Sequence, residues 1–177
     1  MSIICTSHCE ADLIKAAFLL AFSGFFRVGE LTVGPKGDQI HTVKIKNVKL
    51  FSNHFEIFLV SSKTDQIGTG TTISLSAKAE KDNCPLAILI KYLKGRPAGN
   101  GPLFCHFDSK PLTRYQFSSV LKHNLAVLSI SGAQFTSHSF RIGMAATCAM
   151  EGVPEDQIKT LGRWKSGAYF RYIRISI

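Results

Sequence analysis

The pattern of apolar and polar residues in the N-terminal part of the chain predicts two helices and a turn. A run rich in Leu, Ala and Phe, Asp12–Phe22, follows Ser7-x-x-Glu10, which has the capping-box spacing and predicts a largely buried first helix. Ser23-Gly24 interrupts this run, and Val28–Leu31 predicts a short second helix. The Gly and Pro cluster Gly34–Gly37 predicts a turn after it.

Three short β-prone runs follow this turn. In Val43-Lys44-Ile45-Lys46 the apolar residues alternate with lysines, as they do in a half-buried strand. Phe55–Val60 predicts a second strand and Thr71–Leu75 a third, joined by the polar, hairpin-like link Ser61–Gln66. We therefore expect a small three-stranded antiparallel sheet inside an otherwise helical protein.

The remainder of the chain predicts helices, separated by a Pro- and Gly-rich loop at Arg96–Pro111. The predicted helices are Pro85–Lys94, a helix capped by Thr113 and ending near Leu128, one capped by Thr136 or Ser137 and running to Ala149, a short helix from Pro154 to near Gly162, and Trp164–Ile177. The fold class predicted from these elements is α+β and mainly helical.

Composition and charge narrow the class of protein. With 177 residues, 45% hydrophobic and 19% charged, the chain has the size and core of one domain and is not disordered. Its net charge of +9 is uneven, because residues 1–108 carry 12 basic and 9 acidic side chains, whereas residues 109–177 carry 9 and 3. This excess favours an anionic partner for the last third of the chain.

Cysteine usage and hydropathy bear on the compartment. The five cysteines are scattered, which argues against a disulfide framework, and Cys5-x3-Cys9 with His8 has no second ligand pair at the spacing of a zinc finger. The longest apolar run, Ala16–Phe22, is far shorter than the roughly 20 residues of a membrane span, and no signal peptide is visible. We expect an intracellular protein without a metal, nuclear if the source is eukaryotic.

Three motifs carry candidate chemistry. In Phe25–Leu31, Arg27 stands in an apolar setting, where its charge must be paired or must face an anion; Glu30, three residues on, could hold it in a simple intrahelical pair. His138-Ser139-Phe140-Arg141 sets a histidine and an arginine one turn apart at a helix N-terminus, a place that favours phosphate.

The third motif is aromatic and basic. Gly162–Ser166 contains the only tryptophan, Trp164, and precedes Tyr169–Arg174 in a tail without acidic residues. Packing and solubility could explain such a tail as well as anion binding does. Each motif is weak alone, and their order along the chain is the stronger signal.

That order resembles the catalytic domain of the tyrosine recombinase (phage integrase) family: an Arg-x-x-Glu helix, a strand–Lys–strand hairpin, His-x-x-Arg, Leu-Gly-Arg-Trp and a tyrosine near the C-terminus. The motifs most resemble those of recombinases from eukaryotic mobile elements, in Gly24–Leu31, Ser62–Asp65 and Leu161–Ser166. The resemblance runs from roughly Asp12 to Arg174. It implies a recombinase catalytic domain over residues 1–177, without the separate N-terminal core-binding domain of the family.

In this family a tyrosine attacks a DNA phosphate, which gives a 3′-phosphotyrosyl link and a free 5′-hydroxyl, and a second 5′-hydroxyl reverses the step without a metal or nucleotide cofactor. The resemblance implies double-stranded DNA as the partner and self-association on DNA in a synaptic tetramer. The implied roles are phosphate clamping by Arg27 and Arg141, proton transfer and hydrogen bonding by His138, general acid catalysis by Lys63, hydrogen bonding by the indole of Trp164, nucleophilic attack by Tyr172 and support by Glu30.

Two departures from the family keep alternatives open. The spacing from Trp164 to Tyr172 is one residue shorter than bacterial relatives lead us to expect, so Tyr169 remains a second candidate nucleophile. The missing N-terminal domain leaves open a fragment, or a degenerate copy that binds DNA without turnover. A type IB topoisomerase-like activity would share the same chemistry, and a basic RNA-binding or protein-interaction module would explain the charge but not the ordered motifs.

Overall fold

A computed structural model describes residues 8–61 and 69–164, and these contain six α-helices and three strands. The helices are α1 (His8–Ser23), α2 (Val28–Leu31), α3 (Pro85–Gly95), α4 (Arg114–Val127), α5 (Ser139–Met150) and α6 (Glu155–Leu161). The strands β1 (Val48–Leu50), β2 (His54–Leu59) and β3 (Thr71–Ser76) form one antiparallel sheet in the order β1-β2-β3. The predicted α+β, mainly helical class is confirmed.

The central strand β2 shows why this sheet forms. Phe55, Ile57 and Leu59 are all at most 2% exposed, and the residues between them are half-buried or exposed. This two-residue period places one face of the sheet on the core and leaves the other face to solvent. The third strand, Thr71–Ser76, lies where the sequence predicted it, with Phe55 opposite Leu75.

The prediction of a first strand at Val43–Lys46 is wrong, because the backbone of this segment does not form the ladder with β2. The Val43 amide donates to the Glu30 carbonyl at 2.8 Å, and the Val43 carbonyl accepts from Leu103 at 2.8 Å. The chain then makes a 3-10 turn over Ile45–Asn47 and pairs with β2 only from Val48 onward. The alternation of apolar residues and lysines is present, but this segment bonds to Glu30 of α2 and to Leu103 of the loop before α4 instead of to a strand of the sheet.

Helix α1 forms the centre of the larger core. Leu13, Ala17 and Leu20 are at most 1% exposed, and the helix packs against both α3 and α5. Full burial of each such leucine is worth about 1.5–3 kcal/mol. The prediction of a largely buried first helix is confirmed.

Helix ends follow local signals. Thr113 caps α4 as predicted, because its hydroxyl accepts from the Gln116 amide at 3.2 Å while the Gln116 side chain accepts from the Thr113 amide at 3.0 Å. Helix α5 starts later than expected, at Ser139, with His138 in the N-cap position. His138 therefore lies at the N-terminal boundary of α5 and not within its first turn.

A second, smaller core lies between α5, α6 and the turn that precedes α2. Ala145 and Cys148 of α5 and Ile158 of α6 pack with Phe25, and all four are at most 3% exposed. This cluster ties α5 and α6 to the turn between α1 and α2. It therefore fixes the two sequence motifs, Arg-x-x-Glu and His-x-x-Arg, relative to each other.

The predicted link around residues 62–66 and the predicted helix beyond Trp164 lie outside the described residues. Across residues 8–61 and 69–164, none of the helices is long and apolar enough to cross a membrane. In the same ranges no group of three or more His, Cys, Asp or Glu side chains is arranged to hold a metal ion. Cys9, Cys84, Cys105 and Cys148 are free thiols.

Candidate active site

A backbone carbonyl of the turn between α1 and α2 holds two arginines, one buried and one largely buried. Phe25 adopts a left-handed conformation with φ of 51°, which a non-glycine residue rarely takes. Its carbonyl accepts hydrogen bonds from the guanidinium of Arg141 and, at 3.1 Å, from Nη2 of Arg163. The carbonyl of this strained residue thus joins Arg141 of the His-x-x-Arg motif to Arg163.

Arg141 is fixed from a second direction. Its Nη2 donates to the Gly162 carbonyl at 2.6 Å, and its guanidinium carbon lies 4.9 Å from the centre of the Trp164 ring. The residue is only 2% exposed. A buried arginine must be held by acceptors, and here the two carbonyls also set the direction of its planar fork.

Glu30 joins two arginines through one buried carboxylate. Oε1 accepts from Nη1 of Arg27 at 3.1 Å, and Oε2 accepts from the backbone amide of Arg27 at 2.8 Å. The same Oε2 accepts from Nη2 of Arg163 at 2.7 Å. The expected pair between Arg27 and Glu30 is present, but the carboxylate also has a partner 133 residues away along the chain.

These groups border a cavity of about 390 Å³ at the N-terminal ends of α2 and α5. The predicted site residues that line it are Arg27, Glu30, His138 and Arg141. Arg114 of α4 lines it too, and Asp38, His41 and Thr42 form part of its wall. The N-terminus of the twelve-residue helix α5 carries partial positive charge, so both the side chains and this helix end favour an anion here.

His138 faces this positive environment as a neutral imidazole. Burial lowers its pKa from the ordinary value of 6.5, and the charges of Arg141 and Arg27 lower it further. A neutral imidazole carries one nitrogen that can accept a proton and one that can donate a hydrogen bond. A bound phosphate would oppose the arginine charges and raise this pKa again.

The lowered pKa predicts a pH dependence of stability. The folded protein binds the His138 proton less tightly than the unfolded chain, so the free energy of unfolding falls as the pH drops below the ordinary value of 6.5, toward the lower pKa of the folded state. His138→Gln removes this contribution, while above that pH the two proteins should differ in stability by an amount independent of pH. Urea unfolding between about pH 5 and pH 8 measures it. Equal pH slopes for both proteins would show that His138 titrates normally.

The structure brings together four of the seven residues named from the sequence, Arg27, Glu30, His138 and Arg141. Trp164 lies beside them, edge-on to the Phe25 ring at 5.6 Å, but it does not line the cavity. Lys63 and Tyr172, and the alternative nucleophile Tyr169, lie outside the described residues.

Sequence reasoning missed Arg163. Its side chain is 10% exposed, and its guanidinium contacts Glu30 and the Phe25 carbonyl. Burial lowers its pKa, and the neighbouring Glu30 carboxylate opposes that effect. One signal in the sequence was available: counted from Arg163 rather than Trp164, the distance to Tyr172 is one residue longer, which is the spacing expected from bacterial relatives.

This arrangement is suited to an oxyanion with several oxygens. Arg27 and Arg141 are held in fixed orientations at the cavity wall, and His138 stands beside them at the end of a helix. Fixed donors stabilise charge on phosphoryl oxygens without reorganising when that charge develops.

Comparisons with known proteins place the fold. No protein-family model matches the chain. The integrase/recombinase xerD homolog of Selenomonas ruminantium is 26% identical over 163 residues, which are 86% of this chain and 44% of the relative. The chain therefore spans less than half of the length of this curated relative.

Solved recombinases share the same architecture. The XerA recombinase matches with a TM-score of 0.66 at 18% identity, over 99% of this chain and 61% of XerA. The XerH site-specific recombinase bound to difH matches with 0.64 at 14%, over 92% of this chain and 43% of XerH. The FLP recombinase in a Holliday-junction complex matches with 0.58 at 17%, over 93% of this chain and 41% of FLP.

The chain has the fold of the tyrosine recombinase catalytic domain. The sequence similarity to the integrase/recombinase xerD homolog agrees with this fold.

Proposed function

We propose that this chain is the catalytic part of a DNA strand-exchange enzyme that works through a covalent tyrosyl intermediate and without a metal. The observation that supports this most is the cavity in which Arg27, Arg141 and His138 meet. XerH and FLP, whose fold the chain shares, are described with a difH substrate and a Holliday junction. Residues 1–177 would form one catalytic domain of a larger DNA-binding unit.

The proposed reaction uses the cavity as a phosphate site. Arg27 and Arg141 hold the non-bridging oxygens, and Trp164, whose ring packs against the Arg141 guanidinium outside the cavity wall, supports that arginine. The Tyr172 hydroxyl oxygen attacks phosphorus and passes its proton to neutral His138. The bond from phosphorus to the 5′-oxygen breaks, and Lys63 protonates that oxygen, which leaves a 3′-phosphotyrosyl link and a free 5′-hydroxyl.

The electrostatics favour this division of roles. A tyrosine hydroxyl has a pKa near 10, so it needs a base and nearby positive charge to react at neutral pH. The pKa of His138 is lowered, so its imidazole is neutral at pH 7 and can act as that base. Rejoining is the reverse reaction, in which a 5′-hydroxyl attacks phosphorus and Tyr172 leaves.

The setting in the cell follows from the same proposal. Double-stranded DNA is the partner, with self-association on it to align two strands for exchange. The motifs Gly24–Leu31 and Leu161–Ser166 support an origin in a eukaryotic mobile element, and hence a nuclear location.

A nicked suicide substrate tests the proposal. Cleavage close to the nick releases a short fragment, so the covalent complex accumulates and is seen as a shifted band in a denaturing gel. We expect an adduct with the unmodified chain in the presence of a metal chelator, its complete loss in Tyr172→Phe, and its retention in Tyr169→Phe. Binding of the substrate without any adduct would favour the DNA-binding relic, and an adduct that persists in Tyr172→Phe would exclude Tyr172 as the nucleophile.

A further inference from the structure

Arg114 is a cation at the cavity whose position helix stability does not explain. It is the first residue of α4, next to the Thr113 cap, and no acidic residue stands in that first turn. A positive side chain at a helix N-terminus opposes the helix dipole and is destabilising. The side chain is also exposed, so burial does not account for its position.

Its backbone, however, is held firmly beside α2. The Arg114 amide donates to the Val33 carbonyl at 3.1 Å, and the Val33 amide donates to the Leu112 carbonyl at 2.9 Å. These bonds form a parallel bridge between Val33 and Thr113. The root of the Arg114 side chain is therefore fixed relative to the segment that carries Arg27 and Glu30.

Because Gly29 has no side chain, the Arg114 guanidinium can lie close to the backbone of α2. A Cβ atom at Gly29 would lie 2.7 Å from Nη2 and 3.9 Å from Cζ of Arg114, and beyond the local chain it would meet no other residue within 4 Å. The guanidinium thus lies on the bare backbone of α2, two residues from Arg27, and lines the same cavity.

Among residues 8–61 and 69–164, no acceptor or carboxylate bonds to this side chain. The two acids of the cavity are engaged elsewhere, because Glu30 holds Arg27 and Arg163, and Asp38 accepts from the Ile40 amide at 3.1 Å. Arg114 adds a positive charge to a cavity that already contains Arg27 and Arg141. An anion that binds there would relieve the repulsion among them.

We propose that Arg114, laid over Gly29, binds a second phosphate of the DNA strand, next to the phosphate held by Arg27 and Arg141. This inference rests on the proposed function, since it takes DNA as the ligand. Its role is to fix the register of the strand, because contacts with backbone phosphates position a protein on DNA without reading the sequence. The cavity then holds two consecutive phosphates, and Arg114 increases affinity rather than the rate of the chemical step.

The test is the salt dependence of binding to a fluorescently labelled duplex of arbitrary sequence, measured by anisotropy with the full chain. Each phosphate contact adds about 0.9 to the slope of log affinity against log salt. Arg114→Ala should bind about tenfold more weakly and lose about 0.9 of slope, and Arg114→Lys should keep most of the slope. Lys122→Ala, an exposed cation later on the same helix, should match the unmodified chain.

Gly29→Ala gives an independent test with Arg114 still present. Alanine favours a helix more than glycine does, and the new Cβ meets only the movable end of Arg114, so the fold should remain. Gly29→Ala should weaken binding, and it should add nothing in an Arg114→Ala background. A salt slope in Arg114→Ala equal to that in Lys122→Ala would overturn the inference, as would additive effects of the two substitutions. If the unmodified chain itself shows no salt-dependent binding, the proposed function fails, and that outcome is distinct from an unchanged slope in Arg114→Ala.

Discussion

Replacing Glu30 with alanine is expected to destabilise the protein by about 3–5 kcal/mol. Glu30 is 2% exposed and bonds to both Arg27 and Arg163, and the Arg163 side chain is itself only 10% exposed. Without the carboxylate, a buried guanidinium keeps its charge and loses its counter-ion. Removal of one partner from such a pair costs far more than the pair contributes.

The measurement is the free energy of unfolding in urea. Asp12→Asn is a matched control, because it breaks an ion pair of similar length, 2.7 Å to Lys91, whose lysine is 67% exposed, and it should cost less than about 1 kcal/mol. The double variant Glu30→Ala, Arg163→Ala should lose less stability than the sum of the two single losses, because the charge that remains, that of Arg27, is on a side chain 24% exposed to solvent. Additive losses would show that Glu30 and Arg163 do not act as a pair.

The second large effect is on the proposed reaction. Arg141→Ala is expected to slow adduct formation on the suicide substrate by about 100- to 1,000-fold, the usual cost of removing one fixed donor to a developing oxyanion. Arg141→Lys should be nearly as slow, because a lysine cannot reach the carbonyls of Phe25 and Gly162 and also present a flat fork of donors to phosphate.

Arg96 provides the control for this experiment. Its guanidinium also bonds to backbone carbonyls, those of Leu103 and Pro102 at 2.9 Å, but it does not line the cavity. Arg96→Ala should therefore lower the free energy of unfolding while folded protein keeps its rate of adduct formation. Equal loss of rate in both variants would mean that Arg141 acts only through the stability of the fold.

The sequence predicted elements whose signals are local. The Arg27–Glu30 pair follows from a spacing of three residues, and the start of α4 follows from the Thr113 cap. Buried alternation in β2 likewise needs only its own residues. In such cases the bonds that stabilise an element connect neighbours in the chain, so periodicity and capping residues are enough.

The parts that the sequence did not predict depend on distant contacts. The bond between Arg163 and Glu30 joins residues 133 positions apart in the sequence, and no local pattern predicts it. The orientation of Arg141 depends on the left-handed turn at Phe25, a conformation for which phenylalanine gives no signal. The segment Val43–Lys46 has the period of a strand, but its hydrogen bonds go to Glu30 and Leu103, which periodicity cannot reveal.

The proposed reaction requires that the cavity bordered by Arg27, His138 and Arg141 holds the phosphate that reacts. The most direct measurement is an experimental structure of the Tyr172→Phe chain bound to duplex DNA, in which the strand cannot be cleaved. We expect a backbone phosphate within hydrogen-bond distance of all three side chains. DNA bound on another face, with no phosphate in this cavity, would contradict it.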